Sequence, residues 1–195
     1  MAIVLVRHGE TPGNASRVLQ FPDTPLSERG LAQARCVAQR LAGTRIAEIA
    51  ASDYARALRT AEEIRDASGA PLVIDPELRE RNFGDLRGRA YADLDFDPFA
   101  PGYTPPNGES WEDLHRRVDR MWERVSARAA ALPGDLVVVT HGLVCHSLVS
   151  RRIELAGAEC GPGRFANTSV TVVEASQPWR LLLLGCVAHL QPGPP

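Results

Sequence analysis

Ala2-Ile3-Val4-Leu5-Val6 is a continuous apolar run rich in β-branched residues, and it ends abruptly in Arg7-His8-Gly9. Such a run predicts a strand buried on both faces of a sheet. Leu136-Val-Val-Val139 repeats the pattern and ends in Thr140-His141-Gly142. A weaker run, Glu48–Ala51, leads into Ser52-Asp53 and, one turn later, Arg56. Between these runs the apolar residues recur at helical spacing. Ser27 is placed to cap a helix reaching about Leu41, with Leu31, Ala34, Ala38 and Leu41 on one face. Ser52 or Asp53 would cap a second, running to about Ser68. Ser110 to Asp113 fits a capping box with Asp in place of Glu or Gln. The helix it opens carries Trp111, Leu114, Val118, Trp122, Val125 and Ala129 on one stripe. Leu143–Leu155 reads as a fourth helix, and Ser169–Glu174 and Arg180–Val187 as two late strands.

Strands alternating with helices predict an α/β fold, a three-layer α/β/α sandwich around a mainly parallel sheet of about six strands. One domain is expected over residues 1–190, with a disordered tail at 191–195. The stretch from Asp85 to Gly108 is rich in Pro, Gly and Asp and weakly periodic. A loop that long in a compact domain is usually functional, and an irregular cover over the active site is expected there.

Composition narrows the partners. The chain has 195 residues and a formal net charge of −2, with 44% hydrophobic and 24% charged residues. Such a balance gives no reason to expect nucleic acid or an anionic membrane as partner. Cys36, Cys145, Cys160 and Cys186 show no Cys-x-x-Cys or zinc-like spacing, as expected of reduced thiols in a cytoplasmic protein. The opening apolar run is too short for a signal peptide and lacks a preceding basic region. No stretch approaches the length of a membrane helix.

In open α/β sheets, ligands bind beyond the carboxyl ends of the strands. Three predicted strand ends present Arg7-His8-Gly9, Ser52-Asp53 with Arg56, and Thr140-His141-Gly142. Adjacent strands lie roughly 4.8 Å apart, so as sheet neighbours these would gather two imidazoles and two guanidinium groups around a site the size of one phosphate. Arg offers a planar fork of donors that stays charged. Gly9 and Gly142 would let backbone approach an anion, and amides opening the helix after His141 would add donors. A neutral imidazole is a competent nucleophile near pH 7. His8, Glu10, Asp53, Glu80 and His141 could also be imagined as metal ligands, but their spacing matches no compact ligand motif and the arginines would repel a cation.

Arg7-His8-Gly9-Glu10-Thr11 resembles the signature of the histidine phosphatase superfamily, in its phosphoglycerate-mutase-like branch (branch 1). Asn14, the Asp23-Thr-Pro-Leu-Ser27 stretch, Ser52-Asp-Tyr-Ala-Arg56-Ala-Leu-Arg-Thr60-Ala61, Leu78-Arg-Glu80-Arg-Asn-Phe-Gly84 and Val138-Val-Thr-His141-Gly142 are similar to its further motifs, in order. The resemblance implies His8 as nucleophile, forming a phosphohistidine. It also implies Glu80 as proton donor, and Arg7, Asn14, Arg56, His141 and Gly142 around the phosphoryl oxygens, with neither metal nor cofactor. A carboxylate beside bound phosphate has its charged form disfavoured by like charge, which suits the donor role. Without the motif, Glu80 would read as a surface salt bridge with Arg79 or Arg81.

Leu86-Arg87-Gly88 stands where many members have Trp-Glu-Gly, and Gln20 where Gly is common; neither is expected to touch the chemistry. Cofactor-dependent phosphoglycerate mutases, as the resemblance implies, carry an insertion after the Glu80 segment that is missing here. A mutase also needs a closed lid, and the Asp85–Gly108 stretch has few apolar residues to make one. The expectation is a phosphatase acting on a small phosphorylated metabolite, with a mutase or a non-catalytic phospho-ligand-binding module as alternatives. Arg87 and Arg89 are possible second anchors, opposed by Asp93, Asp95 and Asp97, all read as solvated. A monophosphate is therefore the expected substrate. Pattern leaves the oligomeric state open.

Overall fold

The two apolar runs lie side by side at the centre of one sheet. In a computed structural model, which describes residues 1–155 and 165–191, the chain runs β1 (Ala2–Arg7), α1 (Pro12–Ala15), α2 (Glu28–Leu41), β2 (Ile46–Ala51), α3 (Ala55–Ser68), β3 (Leu72–Ile74), α4 (Trp111–Ala131), β4 (Asp135–Thr140), α5 (Gly142–Arg151), β5 (Val170–Glu174) and β6 (Leu181–Cys186). The strand order is β3-β2-β4-β1-β5-β6. The first four strands are mutually parallel, β5 runs antiparallel beside β1, and the edge strand β6 is antiparallel to β5. The α/β/α sandwich with a mainly parallel six-stranded sheet is the architecture observed.

Alternation along β1 and β4 divides the core. Ile3, Leu5, Leu136 and Val138 face Leu114, Val118, Met121 and Trp122 of α4 and Leu148 of α5. Val4, Val6, Val137 and Val139 face Val37 and Leu41 of α2 and Ala57, Ala61 and Ile64 of α3. Burying each such aliphatic side chain is worth about 1.5–3 kcal/mol, so both faces resist a shift in the register that aligns Arg7 with Thr140.

Several local expectations need correction. The helix assigned to a Ser52 or Asp53 cap begins at Ala55, with Tyr54 as a cap lacking a side-chain hydrogen bond. Ser52 and Asp53 are engaged elsewhere: the Ser52 hydroxyl bonds His141, and Asp53 pairs with Arg79. The helix expected to reach Leu155 stops at Arg151. At Ser110 the capping box is altered: Ser110 Oγ accepts the Asp113 amide, but the Asp113 carboxylate takes the Ser110 hydroxyl at 2.6 Å. A complete box forms unannounced at Thr11 and Asn14, opening α1. Strand β3 also went unplaced, its three residues being too few to show a period. The tail expected to be disordered lies outside the described residues from position 192 onward.

Asp85–Gly108 is more ordered than its composition implies. It contains helical turns at Gly84–Leu86 and Tyr91–Asp93. Leu19, Phe83 and Leu86 form a small core there, joined by Tyr91, Leu94, Phe99 and Tyr103. Phe99 meets Phe83 and Tyr91 edge-on at 5.6 and 5.3 Å. Reading the stretch as poor in apolar residues missed these aromatics, whose spacing follows no period. Gly84 (φ 50°) closes the segment on itself: a Cβ there would lie 2.0 Å from the Pro106 carbonyl oxygen. Among the described residues no helix is long and apolar enough to cross a membrane.

Candidate active site

Register brings the strand ends together. His8 and His141 each sit one residue beyond paired strands, and the His8 amide donates to the Thr140 carbonyl at 3.0 Å. Their rings lie 5.1 Å apart. Both are buried, His8 at 3% exposure and His141 at 0%.

The hydrogen bonds of His8 define its tautomer. Nδ1 lies 2.7 Å from the Gly9 carbonyl, an acceptor only, so Nδ1 carries the proton. Nε2 then holds a lone pair, and it accepts from Arg56 Nε at 3.2 Å. Desolvation, reinforced by the Arg56 and Arg7 cations, holds the His8 pKa well below 6.5 despite the opposing Gly9 bond. The imidazole is therefore a free base at neutral pH. Behind it, Thr168 adopts the left-handed region (φ 56°), unusual for a β-branched residue, and its amide donates to the Arg7 and His8 carbonyls.

The cations are built in rather than draped over the surface. Arg56 is 2% exposed, and its NH1 donates to the Phe21 carbonyl at 3.0 Å. Desolvation lowers its pKa to about 10, which leaves it charged at neutral pH. Arg7 NH1 donates to the Phe165 carbonyl at 2.5 Å. Arg7 Nε and His141 Nδ1 are buried without a hydrogen-bond partner among the described residues. Buried polar nitrogens are rarely left unpaired, and an anion between the two histidines would answer them, with His141 protonated at Nδ1. The other ring nitrogen of His141 meets Ser52 Oγ at 2.9 Å, and desolvation lowers the His141 pKa well below 6.5.

Asn14 lines the same cavity. Its Oδ1 accepts from the Thr11 amide and from Asn167 Nδ2, which leaves its amide N–H groups for a ligand. Glu80 also lines the cavity, its two oxygens accepting from the backbone amides of Arg81 (2.9 Å) and Leu143 (3.2 Å). The arginines considered as salt-bridge partners of Glu80 are engaged elsewhere: Arg79 pairs with Asp53, and Arg81 donates to the carbonyls of Pro98, Tyr103 and Glu109. Gly142 lines the cavity, but the Leu143 amide, expected as an anion donor at the start of α5, is taken by Glu80. Gly9 also meets a packing demand. A Cβ there would lie 2.5 Å from the Gly30 carbonyl oxygen, so its bareness admits the start of α2.

Reading only the residues after strands missed one side of the site. Strand β5 is antiparallel to β1, so the residues before it reach the same sheet edge. Asn167 stands there, its Nδ2 donating to the His8 carbonyl and to Asn14. Thr60 belongs to the motif at the start of α3 but was given no role there; its hydroxyl accepts the Gly9 amide at 3.1 Å. Gln20, expected to stand apart from the chemistry, and Arg87, also considered as a second anchor, both line the cavity. Arg87 donates to the Tyr54 hydroxyl at 3.2 Å, and the Tyr54 ring meets His141 edge-on at 5.3 Å. Arg89 donates to the Asp93 carbonyl and, like Asp93 and Asp95, lies outside the cavity lining, whereas Asp97 joins it. Among the described residues no cluster of His, Cys, Asp and Glu could hold a metal ion.

Comparison with known proteins identifies the family. The family model of the histidine phosphatase superfamily (branch 1) matches residues 3–185. A Yersinia pestis relative named "Probable phosphoglycerate mutase GpmB" is 35% identical over 191 residues, covering 92% of this chain and 87% of that protein. Among solved structures, Bacillus stearothermophilus YhfR superposes with a TM-score of 0.84 at 30% identity, covering 97% of this chain and 99% of that one. The mycobacterial glucosyl-3-phosphoglycerate phosphatase in complex with VO3 gives a TM-score of 0.79 at 29% identity, covering 93% and 97%.

Proposed function

The chain belongs to branch 1 of the histidine phosphatase superfamily, and from that premise we propose that it hydrolyses a small-molecule phosphomonoester through a phosphohistidine on His8. The observation that carries this reading is the fixed tautomer of His8, whose Nε2 lone pair lies beside Arg56 while Nδ1–H is held by Gly9. In the first step Nε2 bonds to phosphorus, the ester P–O bond breaks, and the leaving alkoxide takes a proton from Glu80. The Gly9 carbonyl offsets positive charge developing on the ring, and Arg7, Arg56, Asn14 and His141 hold the phosphoryl oxygens. In the second step water attacks phosphorus and gives its proton to Glu80. The P–N bond breaks, its electron pair returns to Nε2, and inorganic phosphate leaves. No step in this scheme uses a metal.

The test is hydrolysis of p-nitrophenyl phosphate, expected to be inhibited by vanadate, insensitive to EDTA and lost in His8→Ala. Rapid acid-sensitive trapping should find phosphate on the wild-type chain alone. Undiminished turnover in His8→Ala overturns the nucleophile assignment, and strong inhibition by chelators overturns metal independence. The name carried by the Yersinia relative favours a second reading, a mutase. It would prevail if 3-phosphoglycerate primed with 2,3-bisphosphoglycerate were isomerised faster than phosphate was released.

A further inference from the structure

The cavity beyond His8 is far larger than a phosphoryl group. It encloses about 490 Å³, within the roughly 300–1,000 Å³ of pockets that take drug-sized ligands. Four of its charged groups, Arg7, Arg56, Glu80 and Arg87, interact with one another around the nucleophile, while Gln20, Asp97 and His146 also line the cavity. Asn14 joins the four at that end, and Arg87 is held there by Tyr54. Arg81 also borders the cavity, but its guanidinium is committed to three backbone carbonyls and lies 4.4 Å over the Trp111 ring. The remaining wall is formed chiefly by Leu19, Phe83, Tyr91, Phe99, Leu143 and Phe165. Asp97 stands on that side, where its carboxylate would repel an acid. Beyond Phe99, Trp111 and His146 the cavity adjoins a second recess of about 410 Å³ that those three residues also line.

We propose that this wall is a subsite for a bulky, uncharged apolar group, so that the substrate is the phosphate ester of an aromatic or alkyl-rich alcohol rather than of a compact acid. The inference rests on the phosphomonoesterase reading above and names the substrate class of that site. Tyr91 marks the boundary between the two ends. Burial and the nearby Glu80 charge raise its phenol pKa, so it meets the ligand as a neutral ring beside the catalytic groups. Apolar contacts are made equally with bound substrate and transition state, so they should lower KM and leave kcat little changed.

Substrates with the same leaving oxygen isolate the effect: ethyl phosphate, 2-phenylethyl phosphate and 3-phosphoglycerate. The KM for 2-phenylethyl phosphate should be at least about tenfold below that for ethyl phosphate, as expected for burying one ring. That ratio should fall about tenfold in Phe99→Ala and be largely restored in Phe99→Leu, which keeps the local packing. Equal KM values for the two alkyl esters overturn the proposal. So does a preference for 3-phosphoglycerate that disappears in Arg87→Met, which would make the far end an acid site. Calorimetric titration with 2-phenylethylphosphonate and ethylphosphonate, which cannot be hydrolysed, separates the two readings. Tighter binding of the phenyl compound by a chain that hydrolyses nothing would sustain the subsite while the phosphatase reading fell.

Discussion

The end of the cavity that holds His8 is suspended from the sheet, whereas the opposite end is suspended from a loop. His8, Ser52 and His141 follow directly on central strands, and the Val, Leu and Ile residues before them are buried on both faces. Phe83, Tyr91 and Phe99 belong to a small separate core held by aromatic edges, a few backbone bonds and one buried guanidinium. The difference separates two demands of the proposed function. Phosphoryl chemistry needs groups fixed to fractions of an ångström, which a packed sheet edge supplies. Recognition of the alcohol needs a surface that can change without disturbing that chemistry, and loops on a rigid scaffold provide it.

Substitutions at the two ends should therefore fail differently. The largest effect is expected at the sheet edge: His8→Ala should lower kcat for p-nitrophenyl phosphate by about 10⁴-fold or more, since the residual rate then rests on binding alone. Glu80→Gln comes next. Proton donation typically contributes about 10²–10⁴-fold, and the loss should be greater for an alkyl phosphate than for p-nitrophenyl phosphate, whose leaving group needs little protonation. Equal losses on the two esters would remove Glu80 from the donor role. Arg81→Met should act on the loop end. It strands the carbonyls of Pro98, Tyr103 and Glu109 while keeping the backbone amide that Glu80 uses. An unsatisfied buried carbonyl costs about 1–3 kcal/mol, which the segment can avoid by opening to water. The expected outcome is new proteolytic cleavage within residues 95–105 and a KM raised about tenfold, with a smaller change in kcat. Equal damage to kcat and to global unfolding would show that the two ends form one unit.

The same division explains what the sequence disclosed. The sheet end was legible because β-branched runs and the residues after them state strand position and site together. Its neighbours before β5 were not, since an antiparallel strand delivers Asn167 from its opposite end. The loop end was read by composition alone, where Pro, Gly and Asp conceal aromatics that meet only in three dimensions. Arg81 illustrates the limit: in sequence it is one more arginine beside Glu80, yet it is 2% exposed and ties the segment together. No spacing rule marks a cation whose partners are three backbone carbonyls.

The effect expected to weigh least on catalysis is a pH dependence of stability that belongs to the sheet end. His8 and His141 have pKa values well below 6.5, and that of His189 is lowered to about 4, in each case chiefly by desolvation. His189 supports the same end, its Nε2 lying 3.1 Å from the hydroxyl of Thr168, whose amide donates to the His8 carbonyl. An unfolded chain takes protons on these histidines as the pH falls through about 6.5, while the folded chain does not. Their contribution to stability is therefore fully present above pH 6.5 and is lost progressively as the pH falls toward 4. The urea midpoint should drop by about 1 M or more between pH 7 and pH 4.5, and His189→Gln should flatten that slope. Over the same interval Phe99→Leu should keep the wild-type slope, because the loop core holds none of these histidines. A slope unaltered by His189→Gln would mean that carboxylates, not the imidazoles beneath the site, govern the acid sensitivity. The acid limb of kcat/KM should also lie below pH 6.5, because His8 is already the free base there.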